Sequence, residues 1–379
     1  MEWRESTVES LEMSASPKID LKSKYRNKRV LVTGHTGFKG GWLSFWLAKL
    51  GSEVTGFSNE IPTKPSFYEA VGLKERVHSI MGDVRDLDKV SEVVRESRPD
   101  YIFHLAAQPL VRRSYDNPVE TFDVNVMGTV NVMEAARESR CLQALVCITS
   151  DKCYENDERA GAYRETDRLG GKDPYSASKG AAEIAIASYR RSFYERSKER
   201  RTALVSARAG NVIGGGDWAA DRIVPDCIRA LSQEKAVVLR DPGATRPWQH
   251  VLEPLSGYLI LALKAGKDPA RFDGAWNFGP AKGQNLSVEG LVKMIVEEWG
   301  GGSWRVRRPS ASPPESHALR LDCTKARDEL DWRPVLPIDR AIKMTVSWYK
   351  EYLEKKTDMA RLSGDQIKEY TTSKGSIFR

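Results

Sequence analysis

The chain reads as an α/β fold of the Rossmann type: a doubly wound parallel sheet with a smaller C-terminal substrate-binding lobe. Three observations predict it. The β-rich run 29–34 ends in a glycine turn, Gly34-His-Thr-Gly-Phe-Lys-Gly40, which opens a helical stretch at 40–50. Apolar runs at 53–58, 77–82, 101–105 and 143–149 alternate with helical patterns at 86–97, 118–140 and 174–198. Strands separated by helices at this spacing pair in parallel, because each crossover has to carry the chain back along the sheet. On the last of those helices Tyr175 and Lys179, in Tyr-Ser-Ala-Ser-Lys, stand one turn apart on a shared face.

The remaining elements follow in order. A sixth strand at 202–207 gives way to an irregular stretch at Gly214-Gly-Gly-Asp-Trp-Ala. A helix at 221–231, a strand at 237–240 and a loop carrying Arg246-Pro-Trp-Gln-His250 come next, then late helices at 287–299 and 338–353. The domain division expected is a polar extension at 1–26, with one helical stretch at 8–13, and a cofactor domain at 27–209 to which 242–279 returns. The lobe comprises 210–241 and 280–356, and 357–379 is a polar tail expected to fray.

Composition narrows the function. With 40% hydrophobic and 29% charged residues in 379, the chain can bury a large core. No apolar run approaches the roughly 20 residues that span a bilayer, and the N-terminal stretch lacks the apolar core of a secretory signal; a cytoplasmic protein without membrane partners is expected. The five cysteines (141, 147, 153, 227 and 323) include no Cys-x-x-Cys pair, so reduced thiols are expected, with neither disulfides nor a metal site. A net charge of +7 raises the question of nucleic acid. The basic residues are interspersed with acids, however, and an anionic small substrate accounts for the balance without nucleic acid.

The glycines of the turn let the backbone approach a pyrophosphate resting on the helix N-terminus, so Gly34, His35, Thr36, Gly37, Phe38, Lys39 and Gly40 are the expected cofactor cradle. His35 and Lys39 are chargeable neighbours for phosphate within it. Asp83, with Val84 after the third strand, is placed to accept from an adenine amino group, and Ala106, Ala107 and Gln108 follow the fourth strand where the cofactor crosses the sheet edge. The carboxylate expected for an adenosine ribose is missing where the second strand ends Gly56-Phe57-Ser58, Glu60 arriving slightly late, and no arginine for a 2′-phosphate sits there, which favours NAD only mildly; Ser58 is taken as a cofactor contact.

Tyr175 is the expected base for a sugar hydroxyl, with the Lys179 ammonium favouring its phenolate. Ser150, Asp151 and Lys152 follow the fifth strand at the carboxyl edge, where such sheets place their sites. Ser150 can hydrogen-bond the hydroxyl that Tyr175 deprotonates, while Asp151 and Lys152 supply an acid and a base that a simple dehydrogenase does not need. For Asp151 an ion pair or helix cap is the plainer alternative.

These motifs, together with Ala106-Ala-Gln-Pro-Leu-Val-Arg112, Asn125-Val-Met-Gly-Thr-Val130, Ala207-Arg-Ala-Gly-Asn-Val-Ile-Gly-Gly-Gly-Asp-Trp218 and Arg246-Pro-Trp-Gln-His-Val-Leu-Glu-Pro-Leu-Ser-Gly257, resemble the CDP-glucose 4,6-dehydratases. That group is a branch of the extended short-chain dehydrogenases/reductases, and the resemblance runs from about residue 28 to 352. Related dTDP-glucose dehydratases carry Thr-Asp-Glu where this chain has Ser150-Asp151-Lys152, and UDP-sugar epimerases lack that acid and base.

The resemblance implies NAD as cofactor and CDP-glucose as substrate. It implies C4 oxidation begun by Tyr175, loss of the C6 hydroxyl with Asp151 as acid and Lys152 as C5 base, and return of the hydride to C6. An ordinary lysine has a pKa of about 10.4, so Lys152 needs burial and the Lys179 cation to serve as a base; otherwise it only stabilises enolate charge. Asn211, Arg222, Arg246 and Asn277 match substrate contacts of the family, and Trp218, Trp248 and His250 flank them. A homodimer or homotetramer is implied, the helix of Tyr175 pairing with that around 125–136. The alternatives are another nucleotide-sugar dehydratase, a UDP-sugar 4-epimerase, or an idle dinucleotide- or RNA-binding relative.

Overall fold

The computed structural model describes residues 18–157, 161–195, 202–281, 286–307 and 319–378; the helical stretch expected at 8–13 lies outside them. Helix α1 (Leu21–Tyr25) leads into strand β1 (Arg29–Thr33), α2 (Phe38–Lys49), β2 (Glu53–Ser58), α3 (Phe67–Ala70), β3 (His78–Met81), α4 (Leu87–Ser97) and β4 (Tyr101–His104). Helices α5 (Val111–Asp116), α6 (Pro118–Phe122) and α7 (Gly128–Arg137) precede β5 (Ala144–Ile148), and α8 (Pro174–Tyr189) precedes β6 (Ala203–Ala209). Beyond them lie β7 (Val212–Ile213), α9 (Ile223–Leu231), β8 (Val237–Leu239), β9 (Thr245–Arg246), β10 (Gln249–His250), α10 (Leu252–Lys267) and β11 (Gly274–Phe278). The chain closes with β12 (Leu286–Ser287), α11 (Val288–Trp299), β13 (Trp304–Val306), α12 (Thr324–Glu329), α13 (Ile338–Glu354) and α14 (Met359–Thr372).

Seven strands form one parallel sheet in the order β11-β6-β5-β4-β1-β2-β3. The register pairs Val30 with Val54 on one side and with Tyr101 on the other. Strands β4, β5 and β6 are buried at every residue, as continuous apolar runs covered on both faces must be, whereas the edge strand β3 is half exposed. The chain order reverses between β1 and β4, which opens a crevice at their carboxyl ends. No helix among the described residues is long and apolar enough to cross a membrane.

The helix expected over 118–140 is interrupted: a π-turn at Asp123–Met127 separates α6 from α7. The extra residue turns Asn125 inward, where its side chain holds the backbone N–H and C=O of Gln108 at 2.8 and 3.1 Å and the Ser178 hydroxyl at 2.9 Å. Helix α8 starts on a cap, the Asp173 carboxylate accepting from Ser176 N, and passes into a π-turn at Arg190–Tyr194. The end expected at 198 lies outside the described residues.

The C-terminal tail corrects the sequence reading. In place of frayed chain, α14 packs with Met359, Ala360, Ser363, Gln366, Ile367 and Tyr370 buried, a helical spacing hidden among polar residues. Trp46 of α2 meets Tyr370 and Phe378 edge to face, and Phe378 pairs with Ile19, so the two ends of the described chain meet beside α1. Leu21 and Tyr25 of that helix are buried core, within the segment expected to be a polar extension.

Glu253 of α10 ties the tail down. Its carboxyl, 1% exposed, accepts from Val335 N, Leu336 N and the Tyr370 hydroxyl. Burial pushes it from 4.5 to about 7, against those three hydrogen bonds. A carboxyl raised by folding favours the neutral acid, so its stabilisation is complete below pH 4.5 and is lost as pH climbs through 7. Across that window it should cost roughly 3 kcal/mol. Thermal melts of Glu253→Gln should therefore lack the wild-type fall in stability between weakly acid and neutral pH; parallel curves would refute the assignment.

Candidate active site

A cleft of about 600 Å³ opens over the carboxyl ends of β1, β4, β5 and β6 and is walled on its far side by α9 and β8. A second hollow of about 630 Å³ lies among Arg29, Glu53, Arg76, His78 and Glu96 at the opposite, amino ends of β1–β3. Parallel sheets bind ligands at their carboxyl ends, and the chemistry-bearing residues line the first cleft.

Its floor is the glycine turn. Gly34 has φ +77°, and a Cβ there would stand 2.7 Å from Ala106 N; a Cβ on Gly40 would stand 2.0 Å from Gly34 O. Only glycine lets the turn press against both the β4 loop and itself. Gly37 caps α2 without any side-chain acceptor, so the first-turn N–H groups remain directed at the cleft mouth. Phe38 and Lys39 line the cleft, while Thr36 donates from Oγ1 to Glu60 O.

His35 departs from expectation. It is fully buried between Ser58 Oγ (2.9 Å from Nδ1) and Ser79 Oγ (2.7 Å from Nε2), and burial lowers it to about 4. It is a neutral spacer against Gly56, where a Cβ would collide with its ring at 2.2 Å, and not a charge for phosphate. Ser58 is thereby committed to His35 and Thr36 N. Asp83 holds Arg85 through both oxygens, at 2.7 and 3.1 Å. Val84 is core beneath Gly128, Ala106 N donates to Thr33 Oγ1, and the Gln108 amide is engaged by Leu110 and Thr121. Ala107 is half-buried.

Ser150, Asp151, Lys152 and Tyr175 all line the cleft. Ser150 caps the short 3₁₀ turn Asp151–Cys153, donating to Asp151 Oδ1 at 2.9 Å and accepting from Lys152 N. Asp151 is 1% exposed, and its Oδ2 has no hydrogen-bond partner among the described residues. Lys152 Nζ lies 3.6 Å from Asp151 Oδ1 with a third of its side chain in solvent, so the full burial expected of it is lacking. That burial is found at Lys39, lowered to about 7 by desolvation first and then by the Lys179 and Arg222 cations.

Tyr175 and Lys179 share the buried face of α8. Burial pushes the Tyr175 phenol up to about 12, opposed first by the hydrogen bond from Ser150. The charges acting on it are those of Asp151, Arg222 and Asp173; Lys179, one turn deeper, faces Glu183, Cys153 and Cys147 and is lowered by burial to about 8. The activation expected from a Lys179 contact is therefore not seen at the phenol: Lys179 is not among the charges that act most on it, and burial dominates its shift.

Of the expected substrate contacts, Asn211, Arg222, Arg246 and Trp248 line the cleft. Asn211 Oδ1 is a buried acceptor without a partner among the described residues, and Arg222 is paired with Asp217 at 2.9 Å. Three others are corrected. His250 is fully buried below Trp42, and burial lowers it to about 3. Trp218 packs edge to face on Tyr349 of α13. Asn277, also fully buried, accepts from the Tyr154 hydroxyl and donates to Tyr163 O and Asp322 O. Each turns onto partners distant in sequence: His250 under α2, Trp218 on α13 and Asn277 among the loops of Tyr154, Tyr163 and Asp322. Arg112 and Arg240 were not assigned from sequence; both line the cleft and grip Asp221 Oδ1, at 3.2 and 2.9 Å. Arg112 stood within a recognised motif, but nothing local marked Arg240.

Comparison with known proteins agrees with this geometry. The profile of the family described as GDP-mannose 4,6 dehydratase matches residues 31–345. The chain is 44% identical to the CDP-glucose 4,6-dehydratase of Salmonella typhimurium over 93% of its own length and 98% of that protein. It is 27% identical to the UDP-glucose 4-epimerase of Mycolicibacterium smegmatis, over 85% and 98% of the two chains. Among solved structures, a dTDP-glucose 4,6-dehydratase of Streptomyces venezuelae superposes with TM-score 0.74 at 22% identity, covering 87% of this chain and 99% of that one, which shows the shared fold. With its glycine turn, its Tyr175/Lys179 helix face and its Ser150–Lys152 turn on one cleft, the chain belongs to the GDP-mannose 4,6 dehydratase family.

Proposed function

We propose that the protein is a hydro-lyase that converts CDP-glucose to CDP-4-dehydro-6-deoxyglucose and water. The observation that carries this reading is the meeting of Ser150, Asp151, Lys152 and Tyr175 on one cleft, with Asp151 Oδ2 buried and unpaired. An alcohol oxidation needs Tyr175 and Ser150; the adjacent acid and ammonium answer to an elimination. NAD, when bound, supplies a hydride acceptor that returns what it takes, so none is consumed over a cycle. The Gly34–Gly40 turn and the uncapped start of α2 fit its pyrophosphate, Ala106 and Ala107 border its path, and Asp83 and Ser58 stand at the adenosine end.

Tyr175, held by Ser150, takes the C4 hydroxyl proton. The C4 ketone acidifies C5, whose proton is lost while Asp151 protonates the departing C6 hydroxyl. Lys152 is assigned as the C5 base that takes and returns that proton, although its exposed third falls short of the burial this role asks, and its alternative role is to stabilise the enolate charge. Lys179 keeps the buried floor largely cationic, while Lys39, lowered to about 7, carries only part of a charge near neutral pH. Arg222 and Arg246, with Asn211, grip the nucleotide diphosphate, for which guanidinium forks are suited, and Trp248 walls the sugar. Apolar residues exposed on α6, the following π-turn and α8 (Val119 at 82%, Ile184 at 61%, Phe122 and Met127) support a homodimer through that face. The reading also places the protein in the cytoplasm.

Incubation with CDP-glucose should yield a keto-deoxysugar nucleotide lighter by one water. Faster turnover of dTDP-glucose or UDP-glucose would overturn the nucleotide assignment. A product of unchanged mass would make the protein an epimerase.

A further inference from the structure

Behind the cleft lies a buried polar network that the chemistry does not use. Glu183 of α8 and Arg208 of β6, both 3% exposed, form an ion pair at 2.7 Å. The carboxylate also accepts from the Thr149 hydroxyl at 2.5 Å and the Ser206 hydroxyl at 2.8 Å. Arg208 Nη1 donates to the Tyr154 hydroxyl at 2.7 Å and to Glu165 O at 3.2 Å, and the Tyr154 hydroxyl donates on to Asn277 Oδ1 at 2.7 Å. The Tyr154 ring stacks on Tyr163 at 5.2 Å.

The geometry of these bonds is specific. Thr149 and Tyr154 bracket the segment Ser150–Cys153, and both are tied to the same ion pair. Glu183 lies one turn beyond Lys179 and two beyond Tyr175 on the rigid helix α8. The segment bearing the acid and base of the elimination is thus anchored at both ends to the helix bearing the group that starts the oxidation. Apart from Arg208 Nε, which has no hydrogen-bond partner among the described residues, the network is satisfied, and such a network rigidifies its surroundings. Side-chain placement to within an ångström decides catalytic rate.

Resting on the function proposed above, we propose that Glu183 and Arg208 are positioning residues. They form a strut that sets Asp151 and Lys152 in register with Tyr175, so that the C4 ketone is dehydrated before it can leave. Loosening the strut should separate the two halves of the reaction. The ketone would then escape with its C6 hydroxyl in place, lighter than the substrate by two hydrogens: the hydride stays on the cofactor, which added NAD must replace for further turnover, and the proton passes to Tyr175.

Tyr154→Phe tests this gently: it keeps the ring stack and removes only the hydroxyl that joins Arg208 to Asn277. We expect an unchanged KM, a kcat lower by about tenfold, and undehydrated ketone in the product mixture, with less solvent deuterium at C5 per ketone formed. A packing defect alone would lower the amount of active enzyme without changing that ratio. Wild-type turnover of CDP-glucose in the same assay establishes the parent reaction separately. A folded Tyr154→Phe enzyme with the wild-type kcat and only dehydrated product overturns the strut. Should that variant fail to fold, Ser206→Ala, which removes one bond to the Glu183 carboxylate, is read by the same two outcomes.

Discussion

Tyr175→Phe should abolish both halves of the reaction, whereas Asp151→Asn should stop only the second. Without the phenol the C4 hydroxyl proton is never removed, so neither ketone nor dehydrated product forms. Without the carboxyl the C6 hydroxyl has no proton donor, and the enzyme should stall after C4 oxidation. Loss of one catalytic proton transfer costs about 10²–10⁴-fold. Asp151 is buried against Ser150 and Lys152, so verified folding has to accompany the measurement. Lys152→Met should oxidise C4 and stall before C5 exchange. The observable is deuterium from solvent at C5: present with wild type, absent with Tyr175→Phe and Lys152→Met. Normal exchange in Lys152→Met would show that the C5 base is another group. The exposure of Lys152, a third of its side chain, makes that the more informative of the three variants.

Arg208→Met should be the most destabilising single change in the sheet. It leaves Glu183 buried at 3% exposure with two hydroxyls and, in place of its ion-pair partner, only the Lys179 amine one turn away. Breaking a buried pair from one side costs about 3–5 kcal/mol, because the uncompensated charge stays behind. At present Arg208 is the strongest influence holding the Glu183 carboxyl below its ordinary range, against burial. The double variant Arg208→Met/Glu183→Met should recover most of that loss, since replacing both charges by apolar groups is often close to neutral. Chemical denaturation of the two variants gives the comparison. Equal stabilities would refute the electrostatic account. Recovered stability without recovered dehydration would separate the strut's role in placing Ser150–Cys153 from its role in folding.

Much of this site is legible in the sequence because its parts are local. The glycines of 34–40, the Tyr175/Lys179 spacing and the contiguous Ser150-Asp151-Lys152 each write their geometry into a few neighbouring residues. The central strands are readable for a similar reason: a strand buried on both faces has to be a continuous apolar run, as β5 and β6 are. Those features by themselves determined the fold class, and the structure brings the residues proposed for the chemistry to one cleft.

The tertiary structure decided which polar and aromatic side chains reach the cleft. His250 and Trp218 stand beside lining residues in the chain, yet they and Asn277 face inward, onto residues distant in sequence. Asn277 meets Tyr154 across 123 positions and Trp42 reaches Gly215 across 173. Charge state was likewise a tertiary matter. His35 is neutral and Lys39 depressed because burial removes the water that would stabilise their charge, and no local pattern records burial. The tail shows the same limit from the other side. Its apolar residues are too sparse to announce a core helix, and only the docking of Tyr370 onto Glu253 and Trp46 makes it one, since most helical stability comes from the face a helix buries.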